Sequence, residues 1–271
     1  MDRLPVDILE KTVEIVREAA QLMLRRDFVV EQKASVVNIV TSADKQVQQF
    51  LDAMLPQLVP GSQVFGEEGT EVIRAAEYLW IVDPIDGTMN YARGIGISAI
   101  SVALTRQGQP LIGVVYNPVH GEMFCAKKRE GAWLNGKPIR ASEASFAEAL
   151  LCTAWSTYNK TYAPQCRAIM EEVYAQSNDF RRFGSCALEL CYLAAGRCDL
   201  FFEFRIYPWD WAAGGLILME AGGVITELED RLPLHDRATP LIAANNRKNY
   251  EKLREIVVKY IPEIPYEEIL L

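Results

Sequence analysis

The chain has 271 residues, 50% of them hydrophobic and 24% charged, which is enough material for a large core spread over one or two domains. Its 36 acidic and 28 basic residues leave a formal net charge of -8 and an isoelectric point near 5.0. That balance argues against a general nucleic-acid binder, whose phosphate contacts are made chiefly by lysine and arginine. No apolar run approaches the ~18 residues of a membrane helix, and the opening MDRLPVDILE lacks the basic and apolar regions of a signal peptide. The expectation is a cytoplasmic protein with a small-molecule partner, no nucleic acid and no membrane.

From Val6 to Arg25 apolar residues recur at helical spacing: Ile8, Ile15, Ala19 and Leu22, with Leu9, Val13, Val16, Ala20 and Met23 beside them. The stripe is wide and predicts a helix packed on something large. A second helix is expected from Ser42 to Leu55, with Val47, Phe50, Leu51 and Met54 on one face and Pro56 as its stop. Pro60-Gly61 turns the chain into a short strand, Gln63 to Phe65. Next comes Tyr78 to Val82, a continuous apolar, aromatic and β-branched run that reads as a core strand ended by Pro84 and Gly87. From Ile97 the segments ISAISVAL, LIGVVY and EMFCAKK, separated by QGQP and NPVHG, predict an antiparallel meander. AWLNGKPI carries an Asn135-Gly136 hairpin signal.

After about Arg140 strands and helices alternate. LLCTA, a helix near Ala163 to Ala175, DFRRF, a helix from Ser185 to Ala195 closed by Gly196, and CDLFFEF come first. A helix from Asp210 to Ala221, a Gly222-Gly223 stop, VITEL, PLIAAN and a helix near Tyr250 to Tyr260 complete the chain. This rhythm predicts a three-layer α/β half. The division expected is 1–140, helices on an antiparallel sheet, and 141–271, an α/β half, with an interface between them.

Six cysteines (Cys125, Cys152, Cys166, Cys186, Cys191, Cys198) form no CxxC pair and none lies beside a histidine, so they read as small buried hydrophobes rather than zinc ligands. With only His120 and His235 present, a histidine-based triad is disfavoured, and the chemistry falls to carboxylates.

Four places set acids at a strand end or helix start: Asp44, Glu67 with Glu68, Asp83 with Asp86, and Asp210. Asp44 stands three residues after Thr41, as in a capping box, and Asp210 fits the first turn of the helix it opens. The paired glutamates fit a solvated loop equally well. Asp83 and Asp86 are different. Two acids in a stiff loop with Pro84 and Gly87 repel each other unless a cation or proton separates them. Oxygen ligands without histidine or cysteine select hard cations, Mg²⁺ foremost, and the spacing is not that of a calcium loop. Thr88 can act as an ordinary cap or, through a hydroxyl and backbone N–H groups beside the acids, hold a phosphate.

GEE at Gly66 to Glu68, WIVDPIDGTMNY at Trp80 to Tyr91, RRFGSCALEL at Arg181 to Leu190, AAGRCDLFFE at Ala194 to Glu203 and PWDWAAGGLILMEAGG at Pro208 to Gly223 together resemble the inositol monophosphatase family of Mg²⁺-dependent, lithium-sensitive phosphatases. The resemblance implies a layered αβαβα sugar-phosphatase fold (α+β or α/β), an antiparallel-sheet half followed by a mixed-sheet α/β half, and a homodimer. It implies two to three Mg²⁺ ions: Glu67, Asp83 and the Ile85 carbonyl for one, Asp83, Asp86 and Asp210 for a second, and a weaker third near Glu67. Most of these ligands fall in 1–140, while Asp210 and the substrate contacts fall in 141–271.

Glu67 and Thr88 would position the attacking water and Asp44 would orient Thr88, with Lys33 near the metal loop. Gly87 and Thr88 would bind phosphate oxygens, and Gly184, Ser185, Cys186 and Glu203 would face the sugar hydroxyls. The chain departs from the family pattern at Asn38, where many relatives have an aspartate near the third ion, at Cys186, which replaces a common alanine, and in the variable segment with Arg205 and Tyr207. The function expected is hydrolysis of inositol monophosphate or a related polyol or sugar phosphate. Alternatives are fructose-1,6-bisphosphate, 3′-phosphoadenosine-5′-phosphate, NADP or histidinol phosphate as substrate, or a non-catalytic regulatory protein that kept the fold.

Overall fold

The wide amino-terminal stripe folds as helix α1 (Ile8–Leu24), burying Ile8, Ile15, Val16, Ala19 and Met23. An antiparallel pair follows, β1 (Val30–Ser35) and β2 (Asn38–Thr41), and then α2 (Ser42–Leu58). The computed structural model describes residues 4–35, 38–69, 76–153, 160–228, 237–260 and 267–268.

Strands β3 (Gln63–Gly66) and β4 (Tyr78–Asp86) are joined through the short helix α3 (Thr88–Arg93) to the meander β5 (Ala99–Arg106), β6 (Gln109–Asn117), β7 (Glu122–Lys127), β8 (Gly131–Leu134) and β9 (Lys137–Pro138). They form one sheet in that spatial order. Its pairs are antiparallel except β3 with β4, which run parallel. The continuous apolar character of β4 follows from burial on both faces. Trp80 and Val82 pack with α1 and α2, while Ile81 points into the opposite cluster.

The second sheet is built from β10 (Leu150–Thr153), β11 (Asp179–Arg181), β12 (Leu200–Ile206), β13 (Val224–Thr226) and β14 (Arg237–Ala244), with β15 (Glu267–Glu268) beside β14. It is mixed: β10 runs parallel to β11 and β12, and β14 is antiparallel to β12 and β13. Helices α5 (Cys186–Ala194) and α6 (Pro208–Glu220) lie between the sheets, while α4 (Ala163–Tyr174) and α7 (Arg247–Tyr260) cover the outer face of the second. The layers therefore run α, β, α, β, α. Residues from both sides of position 140, such as Phe124, Ala126, Leu190 and Ile217, share the central cluster.

Several boundaries differ from expectation. Pro84 does not stop β4; the strand continues to Asp86, and its pairing with β5 slips between Asp83 and Asp86. A proline is tolerated at such an irregularity because the ladder hydrogen bond it cannot donate is already absent there. Pro56 likewise sits inside α2, which ends at Leu58; the preceding turn at Asp52 is exposed, so water can serve the carbonyl there. Helix α6 starts at Pro208, with Asp210 third in the helix, and α7 starts at Arg247. The β1–β2 pair, largely polar in sequence, was not anticipated. VITEL is strand only through Thr226, and the Glu227 carboxylate beyond it accepts the Thr239 hydroxyl at 2.9 Å. The Asn135-Gly136 hairpin is present, with both residues at positive φ (50° and 77°), as a type I′ turn requires.

Candidate active site

Asp83 and Asp86 leave the end of β4 where its pairing slips, and the slip lets both carboxylates reach the same pocket. Gly87 follows at φ +82°, and a Cβ there would stand 2.9 Å from the Ile97 carbonyl oxygen and 3.1 Å from that of Gly184. Only glycine accepts both the turn and the close approach. Helix α3 then begins at Thr88, and Asp210 arrives from the first turn of α6. The carboxylates of Asp83, Asp86 and Asp210 offer oxygens that all lie within 4.8 Å of one another. Glu67, just after β3, lines the same cavity of about 220 Å³.

Each acid is held by the backbone. Asp83 accepts the Ile85 N–H at 2.9 Å, and Asp210 accepts the Tyr207 N–H at 2.9 Å. Asp86 accepts the Ser185 hydroxyl at 2.6 Å and the Ala187 N–H at 2.7 Å, so it sits at the amino end of α5. Asp44 closes a capping box with Thr41, accepting its N–H at 2.8 Å and also its hydroxyl. The other oxygen of Asp44 is 3.3 Å from the Thr88 hydroxyl, which also lies 3.0 Å from the Ile85 carbonyl. The capping reading of Asp44 holds, and the same carboxylate also reaches the Thr88 hydroxyl. Thr88 is not a cap: the residue before α3 is Gly87.

Crowding acids in a dry pocket disfavours their charged forms. Burial, then the neighbouring Glu67 and Asp86, push the Asp83 carboxyl well above its ordinary range. Burial does the same to Asp210, helped by Asp86 and Glu67. Asp86 is raised to about 6 by burial, against the hydrogen bonds from Ser185 and Ala187 that favour its ionised form. Asp44 is raised to about 6, again mainly by burial. A divalent cation removes the repulsion, and a set of carboxylate oxygens fits a hard ion such as Mg²⁺.

The remaining expected residues share the same cavity. Gly184, Ser185, Cys186 and Glu203 line the cavity, but the Ser185 hydroxyl is committed to Asp86. Burial, reinforced by Glu189, raises the Glu203 carboxyl to about 8. The side chains of Lys33 and Asn38 lie outside the described residues.

Seven lining residues lie outside the expected site set, Ile39, Met89, Asn90, Arg182, Glu189, Arg205 and Ile206, and three of these shape the wall around Gly184. The Asn90 amide donates to the carbonyls of Phe183 (2.6 Å), Ile97 (2.9 Å) and Gly184 (3.4 Å). Buried Glu189 accepts the N–H groups of Phe183 (2.8 Å) and Gly184 (3.1 Å). Arg182 stands at the mouth. The signals were present: Asn90 belongs to the WIVDPIDGTMNY block, and Glu189 is the lone charge in the apolar helix CALELCYLA. A lone acid in such a helix is held for a reason.

The sequence profile of the inositol monophosphatase family matches residues 2–262. Inositol monophosphatase 2 of Solanum lycopersicum is 38% identical over 234 residues, covering 81% of this chain and 88% of the relative. Nus factor SuhB of Escherichia coli K12 is 34% identical over 226 residues, covering 81% and 85%. A crystal structure of an IMPase/NADP phosphatase complexed with Mg²⁺ and phosphate superposes with a TM-score of 0.79 at 25% identity, covering 92% of each chain.

Proposed function

The chain belongs to the inositol monophosphatase family, a family of phosphoric monoester hydrolases, and from that premise we propose that it is a Mg²⁺-dependent phosphatase of inositol monophosphate or a related polyol or sugar phosphate. The observation that carries this reading is the convergence of Asp83, Asp86 and Asp210 within 4.8 Å beside the Thr88 hydroxyl. Asp83, Asp86 and Asp210, with Glu67 and the Ile85 carbonyl, would hold two to three Mg²⁺ ions. Such ions, when bound, neutralise the phosphate ester, lower the pKa of bound water and stabilise the departing alkoxide.

The chain's own groups do the rest. Thr88 donates its hydroxyl proton towards Asp44, which turns its lone pairs to accept a hydrogen bond from water. Glu67 supplies a second acceptor, and together they aim the water at phosphorus. The N–H groups of Gly87 and Thr88, at a helix start where no intrahelical acceptor exists, donate to phosphate oxygens. In hydrolysis the water oxygen bonds to phosphorus, the ester P–O bond breaks and the leaving alkoxide takes up a proton. Glu203 and the Gly184–Cys186 wall face the polyol. The cavity of about 220 Å³ is smaller than the ~300–1,000 Å³ of drug-sized ligand sites, which favours a sugar-sized ester over a dinucleotide.

A second reading, a regulatory binding protein, draws on the relative named a Nus factor. The buried acids weigh against it as the sole role, since a binding module has no use for several mutually repelling carboxylates in a pocket. Phosphate release from inositol 1-phosphate is measured with and without Mg²⁺ for the native chain and Asp86→Asn. Release is expected from the native chain with Mg²⁺ and a loss of more than about 100-fold in the variant. Equal rates under all four conditions would eliminate the metal-dependent reading.

A further inference from the structure

Glycine at position 66, just before Glu67, is not required by its backbone. Its φ is not left-handed, and an L residue adopts such a conformation without strain. What excludes a side chain is space: a Cβ there would stand 2.2 Å from both Nε2 and Oε1 of Gln48 and 2.4 Å from its Cδ. The carboxamide of Gln48 therefore lies flat against Gly66, in the room a Cβ would fill. Resting on the phosphatase reading above, we propose that Gln48 is a positioning residue for Glu67. Its amide seats the turn that carries Glu67 and thereby sets the Mg²⁺ affinity of the carboxylate cluster.

The turn is tight and starts at a sheet edge. Strand β3 has four residues and is the edge strand beside β4. Gly66 is its last residue, and the Gly69 N–H donates to the Gly66 carbonyl at 3.1 Å, so Glu67 and Glu68 are the two central residues of a β-turn. On one side β4 holds this turn, through the Glu67 N–H donating to the Val82 carbonyl at 3.1 Å. On the helix side Gln48 bears on it. Asp44, Gln48 and Asp52 follow one another at four-residue spacing on α2 and so stand in one row. That row sets Asp44 against the Thr88 hydroxyl, at 3.3 Å, and Gln48 against the residue before Glu67. A single helix face thus places Thr88 and Glu67, the two groups proposed to aim the water, relative to each other.

Gln48 is itself fixed. It is 2% exposed, and its Nε2 donates to the Asp52 carboxylate at 2.7 Å. That bond decides which way the amide is turned, because the reverse orientation would set a carbonyl oxygen against a carboxylate. Its Oε1 makes no hydrogen bond among the described residues. The amide therefore acts on Gly66 by packing against its backbone and not by bonding to it. A side chain of the same length and volume is then able to take its place, whereas a shorter one leaves the head of the turn unsupported on the α2 side.

The test is calorimetric titration with Mg²⁺ alone, beside thermal midpoints measured without metal, on the native chain, Gln48→Ala, Gln48→Met, Gly66→Ala and the double variant Gln48→Ala with Gly66→Ala. Gln48→Ala is expected to weaken Mg²⁺ binding about 10-fold, as the loss of a group that orients a metal ligand does. Gln48→Met keeps length and volume and is expected to stay within about threefold of the native affinity. At Gly66 the obstacle is a side chain and not backbone, so Gly66→Ala displaces the amide, leaves β3 in place and repeats the loss. Both substitutions remove one and the same contact, and the double variant is therefore expected to lose no more than the larger single loss. Losses that multiply in the double variant overturn the assignment. So does an unchanged Mg²⁺ affinity in Gln48→Ala with a lowered midpoint, which would leave Gln48 a packing residue only. A native chain that binds no Mg²⁺ overturns the metal-dependent reading, and this assignment with it.

Discussion

Thr88 shows how one side chain is placed by three separate segments. Gly87 starts the turn, the slip in β4 brings the Ile85 carbonyl to 3.0 Å, and the capping box of α2 presents Asp44 at 3.3 Å. Replacing it in Thr88→Val keeps the shape and the helix start and removes only the hydroxyl. Steady-state kinetics are expected to show a fall in kcat of at least about 100-fold with little change in KM. Chemical denaturation is expected to change by only about 1 kcal/mol, the net value of one hydrogen bond. A kcat within threefold of the native value would return Thr88 to a purely structural place. Glu189 and Asn90 clamp Phe183 and Gly184 from the N–H and carbonyl sides, so that this wall of the cavity is tied to α3.

At the scale of elements the site depends on how closely α6 lies on the first sheet, because α6 carries Asp210. At Gly113 on β6 a Cβ would meet the Ala213 carbonyl oxygen at 2.7 Å and its Cα at 3.1 Å. Backbone is the obstacle, so no rotamer relieves it. Gly113→Ala is expected to cost about 2–3 kcal/mol and to lower the thermal midpoint by roughly 4–10 °C for a chain of this size, together with Mg²⁺ affinity as Asp210 is displaced. An unchanged midpoint would mean that the helix does not rest on the strand backbone.

This interface also marks where sequence reading stops. The helical stripe of α1, the apolar run of β4 and the Asn135-Gly136 turn each carry a local signal, and each formed where its period or turn chemistry placed it. The acids at 83 and 86 were readable as candidates because two carboxylates in one stiff loop repel each other without a cation, whereas Asp210 joined them only through the family resemblance. What was not readable is non-local. The polar β1–β2 pair has no period to reveal it, Pro84 is accepted inside β4 only because of a register slip, and Arg182 becomes a pocket residue only once β11 and β12 lie in one sheet.

For the whole molecule, the acids make stability depend on pH and on cation together. Burial raises Asp44 and Asp86 to about 6 in the fold, against an ordinary aspartate value of 3.8. Between those values the folded chain binds more protons than the unfolded one, so without metal stability falls as pH rises from about 4 through about 6, and the loss is complete above the folded pKa. A divalent cation binds the ionised form, so its stabilising effect runs the other way and grows as pH rises through that window. At 100 times its dissociation constant a ligand of the native state contributes about 2.7 kcal/mol, or roughly 5–10 °C for a chain of this length. Calorimetric scans at pH 5 and 7.5, with Mg²⁺ and with a chelator, are therefore expected to show a large Mg²⁺ shift at pH 7.5 and a small one at pH 5. Asp86→Asn removes one of the opposed charges and is expected to raise the midpoint of the metal-free chain at pH 7.5 while shrinking the response to Mg²⁺. Equal Mg²⁺ shifts at both pH values would show that the carboxylate cluster is not where the cation binds.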